Sequence, residues 1–506
     1  MKKKTSASAL FNTAVLLTAV NFLGKILGFL RDILISNYYG STAQTDAFFL
    51  ALSIPTILIG VFTSSADSTV VPQYSRIAAS SEGRDGADRY FSNVIVLLTM
   101  IATAIAVVCL VWPQGIIRLF APKFSGEAVA YSIRYLRIFS FAGLLHIWFC
   151  FFCAYSLCYE RTTVRMILSA TTNVFVVLSL LLIHDTGMYA LVLAYMAGSL
   201  LSAFLPIWDS CRTGYRFRPV LSLRRHHFPE FFKLFLPVMG SALLADLLLY
   251  CDRFLSSFLA AGSLSALNYG SKVTGLFENV FVVGISAVLL PVIIRLQMAD
   301  AREQLRFTIS AVVFGLVLFL APIGFLCVLY AGDLVSVLYL RGAFNEQNAQ
   351  VVASVLQAYS PLILFSPLLL TLTKTFHGMS NTRLPFQISL LTFVVNVVLS
   401  FTLMQVCGVF GIAFATSVSS MLGCLLQLLA MGKTSGLDRT FLSVKNLVKL
   451  IVCFVLAALP SMLLPSMPTA FWNLLLSGGC SAVVYGVSAL LLFHRELRRC
   501  WTAIRS

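Results

Sequence analysis

The chain has 506 residues, of which 59% are hydrophobic and only 11% are charged, and its formal net charge is +16. A soluble globular domain is about one-quarter charged, so this composition excludes an ordinary soluble protein and indicates one that crosses a membrane many times. The Lys and Arg residues are dispersed between apolar runs, which is typical of membrane orientation and excludes a nucleic-acid-binding face.

Fourteen apolar runs are each long enough to cross a bilayer, which takes about 20 helical residues. In chain order they cover 9–36, 46–74, 91–113, 133–157, 164–184, 187–208, 231–260, 265–296, 308–331, 349–376, 384–405, 408–432, 446–466 and 471–493. The basic start resembles a signal peptide, but no small-residue cleavage site follows it, so we interpret the first run as an uncleaved span. The sequence therefore predicts an all-α polytopic membrane protein with about fourteen transmembrane helices.

The connecting segments indicate the orientation. If the N-terminus lies in the cytoplasm, most of the 36 Lys and Arg residues fall on the cytoplasmic side, including those of the connections 80–90, 208–230 and 432–449. An excess of Lys and Arg marks cytoplasmic loops, and an even number of spans returns the chain to its starting side. We therefore expect a multi-pass protein with both termini in the cytoplasm.

The first two spans contain four ionisable residues: Lys25, Arg31, Asp32 and Asp46. A charge at membrane depth costs roughly 2.5–3.5 kcal/mol on insertion scales, so such residues are either functional or paired. For Arg31, the pairing alternative is an ion pair with Asp32 or Asp46.

Gly24, Gly28 and Arg31 lie on one stripe of the first span, because they follow the spacing of one helical face. Small residues at this spacing let a second helix approach closely. The stripe predicts either simple helix packing or a bend that turns Lys25 and Arg31 toward a central cavity.

The seventh and eighth spans also carry charges, namely Asp246, Asp252, Arg253, Lys272 and Glu278. The pairing alternative here joins Arg253 to Asp246. The later spans are nearly free of charge, so both halves of the chain hold their intramembrane charges in their first two helices.

A cavity between the halves would be lined by Lys25, Arg31 and Lys272. Three cations at membrane depth suit an anionic substrate such as a phosphate or pyrophosphate, which they would bind electrostatically.

The chain repeats itself. Val70–Arg76 (VVPQYSR) near the end of the second span matches Leu289–Arg295 (LLPVIIR) near the end of the eighth, and Asn173 in the fifth span matches Asn396 in the eleventh. The matches keep their order across six spans, and six is even, so the repeats are parallel, an architecture of transporters. The predicted organisation is a six-helix lobe over 1–210, a second over 211–440, and two extra spans with a basic tail over 441–506.

No catalytic constellation is present. The chain lacks a phosphate-binding P-loop, a nucleophile elbow and a metalloprotease helix. We therefore predict that it is not an enzyme and that its energy source is an ion gradient, the membrane potential or substrate flux.

Five segments carry a family resemblance: Leu27–Asp32 (LGFLRD), Tyr39–Phe49 (YGSTAQTDAFF), Val71–Pro72, Ser257–Gly270 (SFLAAGSLSALNYG) and Leu289–Pro291 (LLP). They resemble the MurJ (MviN) family of lipid II flippases, within the multidrug/oligosaccharidyl-lipid/polysaccharide exporter superfamily, and the resemblance covers nearly the whole chain. It implies a monomer of the bacterial inner membrane, in contact with membrane lipids. Such a protein moves undecaprenyl-pyrophosphate-linked peptidoglycan precursor, lipid II, to the outer leaflet by alternating access.

The resemblance also implies site residues. Lys25, Arg31 and Lys272 match cationic positions that surround the pyrophosphate, although Lys25 and Lys272 stand where Arg is usual and lose its bidentate fork. The basic position of the second span falls at Ile59, so that cation is missing. The supporting charges are Asp32, Asp46 and Arg253.

Some family members have a sodium site, whose positions would fall here on Asp252, Asn396 and Thr416. Family members carry a second carboxylate where this chain has Ser400, so the resemblance implies a Na⁺ site with one carboxylate fewer. No other cofactor is expected. The two extra spans would form a hydrophobic groove for the lipid tail.

Two other functions stay open. The missing cation keeps a flippase for another polyprenyl-linked glycan, such as an O-antigen or exopolysaccharide unit, as the nearest alternative. A cation-coupled drug exporter is the second, but it predicts an aromatic or acidic cavity, whereas this cavity is predicted to be cationic.

Overall fold

The computed structural model describes residues 7–64, 66–159, 161, 170–182, 187–218, 243–244, 246–299, 301–379, 381, 383–434, 436, 438, 441, 443–465, 467 and 469–505. For 7–22, 67–68, 277–288, 290–291, 294 and 500–505 the description covers the backbone alone. Throughout these residues the chain forms helices and short connections without a strand. The predicted all-α fold is therefore confirmed.

Contacts divide the chain into two compact units, Met1–Ser265 and Ala266–Ser506. The described helices of the first unit are α1 (Ala7–Tyr39), α2 (Ala43–Thr63), α3 (Ala66–Ala78), α4 (Gly83–Val111), α5 (Pro113–Phe120), α6 (Gly126–Phe139), α7 (Ala142–Cys158), α8 (Thr171–Leu182), α9 (Met188–Arg212) and α10 (246–256). The predicted lobes 1–210, 211–440 and 441–506 stay a prediction.

The next helix, α11 (Ser263–Met298), begins at the end of the first unit and runs into the second. It is followed by α12 (Arg302–Leu329), α13 (Ala331–Tyr339), α14 (Glu346–Tyr359), α15 (Leu362–Gly378), α16 (Arg383–Cys407), α17 (Val409–Thr434), α18 (Val444–Leu463), α19 (Ala470–Asn473), α20 (Gly479–Leu492) and α21 (His494–Arg505). A π-helical turn, Leu474–Gly478, joins α19 to α20, so the last span is continuous but locally widened.

Ten helical stretches within the described residues are long and apolar enough to cross a membrane. They correspond to ten of the fourteen predicted spans. The other four, 9–36, 164–184, 231–260 and 265–296, fall partly on residues or side chains outside the description. The chain is thus a multi-pass membrane protein, and the count of fourteen stays a prediction.

The second predicted span is shorter than expected. The sequence predicts one run over 46–74, whereas α2 ends at Thr63 and α3 begins at Ala66. At this end the hydroxyl of Thr63 donates to the Gly60 carbonyl at 3.2 Å. Hydroxyl groups that bond to nearby carbonyls compete with the helical ladder, and such a group stands in the last turn of α2.

Each unit has its own apolar core. In the first unit α3, α4 and α7 pack around Tyr90, Phe91 and Phe151, which are fully buried. In the second unit α18 and α20 pack against α12 through a cluster that includes Phe314 and Phe493. The two C-terminal spans are therefore an integral part of the second unit.

The ends of α9 and α17 share one feature. Each helix is followed by a glycine with positive φ, Gly214 at 91° and Gly436 at 73°. This left-handed conformation ends a helix at little cost only for glycine. The shared ending supports the predicted repeat.

A second correspondence lies just after each of these glycines. The backbone N–H of Arg216 donates to Asp88 at 3.4 Å in the first unit, and the N–H of Asp438 donates to Ser310 at 2.8 Å in the second. In both units the segment after the glycine is thus fastened to the helix that follows the second span of its half.

Candidate functional site

Lys25 and Arg31 lie on α1 but in different surroundings. The side chain of Lys25 is exposed, and it makes no hydrogen bond or ion pair with a described residue. The side chain of Arg31 is only 13% exposed. Six residues on a helix separate two side chains by about 120°, so one cation is available to a ligand while the other points into the first unit.

Arg31 is held by two side chains. Its Nε and Nη2 donate to Oδ1 of Asp32 at 2.9 and 2.8 Å, and its Nη1 donates to Oδ1 of Asn173 at 3.0 Å. The predicted pairing with Asp32 is thus observed, and the positive charge of Arg31 is balanced inside the first unit.

The glycine stripe of α1 explains how Asn173 reaches Arg31. A Cβ atom on Gly28 would lie 3.3 Å from Nδ2 of Asn173, and this Nδ2 donates to the Gly24 carbonyl at 3.4 Å. Because Gly24 and Gly28 have no side chain, the Asn173 amide of α8 can lie directly against the α1 backbone. The stripe is a packing surface that also positions a polar side chain.

Asn173 and Tyr195 line a cavity of about 290 Å³ inside the first unit. Its wall also includes the polar residues Thr56, His146, Thr172, Ser199 and Ser202. The pattern of charges did not predict this cavity; Asn173 was singled out in the sequence, but Tyr195 and the hydroxyl groups were not.

Asp46 binds backbone instead of a cation. Its two carboxylate oxygens accept hydrogen bonds of 2.6 Å from the N–H groups of Gly262 and Ser265, and the residue is only 2% exposed. The alternative pairing of Arg31 with Asp46 is not observed, because this carboxylate caps the first turn of α11. It is a positioning residue for the start of that helix.

Asp246 does not have the predicted partner either. It lies almost two helical turns before Arg253 in α10, a rise of about 10.5 Å, which is too long for an ion pair. The carboxylate that interacts electrostatically with Arg253 is the adjacent Asp252. Oδ2 of Asp246 has no hydrogen-bond partner among the described residues. A Cβ atom on Gly60 would lie 2.7 Å from it.

Ile59, which stands where the cation is missing, is an apolar residue in apolar surroundings. Its side chain is 1% exposed and belongs to the core of the first unit. A Cβ atom on Gly143 would lie 2.7 Å from Cγ1 of Ile59, so α7 packs closely against it. A long basic side chain would not fit here without rearrangement of that contact.

Lys272 lies in α11, in the part that belongs to the second unit, and its side chain is half-buried. The predicted convergence of Lys25, Arg31 and Lys272 stays a prediction.

Two of the predicted sodium-site residues meet in the second unit. Nδ2 of Asn396 donates to Oγ1 of Thr416 at 3.2 Å and to Oγ of Ser419 at 3.1 Å. The Ser400 hydroxyl donates to Oδ1 of Asn396 at 3.5 Å. This cluster joins α16 to α17, and Ser419 is a member that the sequence did not predict.

The donor set suits a hard cation only in part. Amide, hydroxyl and carbonyl oxygens are the ligand type that such ions prefer, but this cluster contains no carboxylate to balance the charge. The described residues contain no group of three or more His, Cys, Asp and Glu residues that could hold a metal ion. The predicted role of Asp252 at this site stays a prediction.

Solved structures define the class of the fold. "Lipid II flippase MurJ, inward closed conformation" superposes with a TM-score of 0.82 at 24% identity, covering 96% of this chain and 100% of that one. An inward-facing multidrug resistance MATE family transporter of the MOP superfamily superposes with a TM-score of 0.65 at 15% identity, covering 83% and 99%. The chain thus shares the fold of these two structures.

Sequence comparison identifies the family. A family model described as "Lipid II flippase MurJ" matches residues 35–477, so the chain belongs to the MurJ family. The "Probable lipid II flippase MurJ" of Aquifex aeolicus is 26% identical over 421 residues, which is 81% of each chain. The "Lipid II flippase MurJ" of Thermosipho africanus is 26% identical over 453 residues, 88% of this chain and 91% of the relative.

Proposed function

We propose that this chain moves lipid II, the undecaprenyl-pyrophosphate-linked peptidoglycan precursor, across the bacterial cytoplasmic membrane by alternating access. The family match over 35–477 carries the proposal. The cations in the first spans of both halves support it, since a pyrophosphate needs positive charge at membrane depth. The protein would act as a transporter without catalysis, as a monomer, with both termini in the cytoplasm.

The three predicted cations would have different roles. Lys25 is exposed and unpaired within the described residues, so it would offer a full charge to the headgroup. Arg31 already shares its charge with Asp32, and it would contribute directed N–H groups from a fixed position. Lys272 would supply charge from the second half.

The membrane potential would act on this net charge. An inside-negative potential favours the return of a cationic cavity to the cytoplasmic side, by about 2.3 kcal/mol per charge per 100 mV if the charge crosses the full field. A coupling Na⁺, if used, would be held in the second unit by oxygens of Asn396 and Thr416, and this ion would add positive charge to the same unit.

Complementation tests the charge mechanism. Cells depleted of their own flippase would be supplied with the wild-type chain, with Lys25→Ala or with Lys272→Ala; we expect the wild type to restore growth and the two variants to fail. Lys445→Ala, which removes an exposed charge outside the proposed site, is the matched control. Equal rescue by all variants would refute the charge mechanism.

Arg31 needs a different design, because Arg31→Ala leaves the buried Asp32 unpaired, and breaking a buried pair costs about 3–5 kcal/mol. The double variant Arg31→Gln/Asp32→Asn removes both charges and keeps hydrogen-bonding groups. We expect it to fold but to transport poorly. Full transport would show that Arg31 serves the fold alone.

A flippase for another polyprenyl-linked glycan is the second candidate, and the buried apolar Ile59 favours it. Transport assays in vesicles would compare lipid II with other undecaprenyl-pyrophosphate glycans. Faster transport of one of the others would reassign the substrate while keeping the pyrophosphate chemistry.

A further inference from the structure

The cavity of about 290 Å³ in the first unit lies between α2, α7, α8 and α9. Its described lining residues include no Asp, Glu, Lys or Arg. Thr56, on its wall, is exposed, so the cavity can be reached from the surface of the unit. Ligand pockets usually measure about 300–1,000 Å³, and this one has the size of a site for a single small, uncharged group.

The hydroxyl groups of the wall offer acceptors to such a group. The Thr56 hydroxyl donates to the Ser53 carbonyl and the Ser199 hydroxyl to the Tyr195 carbonyl, both at 2.8 Å. A hydroxyl has one hydrogen and two acceptor lone pairs, so each of these groups has used its donor and keeps its oxygen as an acceptor. Such a wall suits a neutral ligand that donates hydrogen bonds. A hard cation would also seek a carboxylate, and the described lining has none.

The rest of the wall is apolar and aromatic. The rings of His146 and Phe149 stack with centroids 6.3 Å apart and an angle of 19° between their planes, and both residues line the cavity together with Leu52 and Leu145. Hydrophobic and aromatic walls with a few placed polar groups are typical of ligand sites. A sugar ring matches this wall, because it carries hydroxyl groups at its edge and C–H groups on its faces.

Asn173 connects the cavity to a residue of the proposed transport site. Asn173 lines the cavity, and its Oδ1 accepts a hydrogen bond of 3.0 Å from Nη1 of Arg31. If Arg31 contacts the pyrophosphate, a group bonded to that pyrophosphate comes next to Asn173. In a polyprenyl-pyrophosphate-linked glycan this group is the first sugar, so the cavity lies where that sugar would arrive.

We propose that the first-unit cavity binds the sugar that is bonded directly to the pyrophosphate of the substrate. This inference rests on the proposed function and adds a carbohydrate subsite to it. Thr56 and Ser199 would accept hydrogen bonds from the sugar hydroxyls, replacing those of water. Phe149 would contact the apolar face of the ring, and Asn173 would hold Arg31 beside it.

Binding of two lipids tests the subsite. Native mass spectrometry would measure how the full-length protein, released from nanodiscs, binds lipid II and undecaprenyl pyrophosphate, which has no sugar. The variant Thr56→Val/Ser199→Leu removes both acceptors and fills the space without a change of charge. It should weaken the binding of lipid II by about tenfold or more, because two hydrogen bonds to the sugar are lost. The binding of undecaprenyl pyrophosphate should stay the same.

The matched control is Thr402→Val/Ser354→Leu, which changes the same residue types in the second unit. These hydroxyls also donate to carbonyls of their own helices, Thr402 to Val398 at 3.0 Å and Ser354 to Val351 at 2.7 Å. A preference for lipid II over the bare lipid that is lost in the cavity variant and kept in the control supports the subsite.

The comparison of the two lipids separates the subsite from the fold and from the proposed function. If the double variant fails to fold and loses both lipids, Thr56→Val alone, which keeps the shape of the side chain, should still reduce the preference for lipid II. An unchanged preference in the cavity variants, or none in the wild type, would overturn the subsite and leave the proposed function intact. Binding of neither lipid by the wild type would overturn both.

Discussion

The two units differ most in a region whose backbone pattern they share. We call this region the corner of each unit: it is the contact between the segment after the positive-φ glycine, Gly214 or Gly436, and the helix that carries Asp88 or Ser310. In the first unit this corner is closed by a buried hydrogen-bond network around Asp88, whereas in the second unit Ser310 takes that position and a cavity lies nearby. The backbone pattern is shared and the side chains are not. The two halves thus share the helix ends that the fold needs, while the side chains of each half decide whether the space between these ends is filled or open.

The network of the first unit is dense. Oδ1 of Asp88 accepts hydrogen bonds from Tyr74 at 2.8 Å and Tyr155 at 3.3 Å, and Oδ2 accepts the N–H of Arg216. Tyr74 also shares a 2.8 Å hydrogen bond with Tyr159. In the second unit the position of Tyr74 holds Ile293, which is buried in an apolar cluster. One unit therefore fastens its corner through polar contacts and the other mainly through apolar packing.

The largest difference is expected from removal of the central acceptor. Asp88→Ala removes the carboxylate that accepts from two buried phenol groups and from one backbone N–H, and we expect a loss of about 3–5 kcal/mol in the free energy of unfolding. Ser310→Ala removes one acceptor and should cost about 1 kcal/mol. Thermal unfolding in detergent would compare the two, and equal losses would show that the two corners are energetically alike.

A smaller effect is expected when Tyr159 is replaced by methionine, the residue that stands at the matching position of the second unit as Met379. Tyr159→Met removes the hydrogen bond to Tyr74 and the contact with Arg84, whose guanidinium carbon lies 5.1 Å from the Tyr159 ring. We expect a loss of about 1–2 kcal/mol. The same unfolding assay would measure it.

Much of the helical architecture could be predicted from the sequence, since long apolar runs are a strong signal of membrane-spanning helices. The repeat was visible in Asn173 and Asn396, and both are polar hubs in the structure. Pairing of Arg31 with Asp32 was also predicted, because the two charges are neighbours in an apolar run.

Contacts between distant segments could not be predicted. Asp46 satisfies the N–H groups of Gly262 and Ser265, which lie far from it along the chain, and a backbone donor leaves no trace in residue identity. Tyr195 was missed for a similar reason, because a tyrosine in an apolar span usually indicates packing. The second-unit cavity was not predicted, because it depends on the space left between the ends of α11, α15 and α17 and the start of α12.

The smallest expected effect distinguishes two ion pairs, Lys449–Glu496 in the second unit and Arg161–Asp209 in the first. Burial raises the pKa of Glu496, but the hydrogen bond and charge of Lys449, whose Nζ lies 2.9 Å from Oε1, outweigh it and hold this pKa below its ordinary value. A lowered pKa stabilises the fold above the ordinary range of a glutamate, and this contribution is lost as the pH falls through the folded-state value. Glu496→Gln should therefore cost about 1 kcal/mol at pH 7 and nearly nothing at strongly acidic pH.

The pair in the first unit provides the contrast. Arg161 and Asp209 form an ion pair in which the Arg161 side chain is 45% exposed, against 25% for Lys449. Water screens the more exposed pair, so Asp209→Asn should cost about 0.5 kcal/mol or less. Unfolding curves of both variants and the wild type at pH 7 and at acidic pH would test this order. A pH-independent loss in Glu496→Gln would show that Glu496 acts through packing against α18 instead of through its charge.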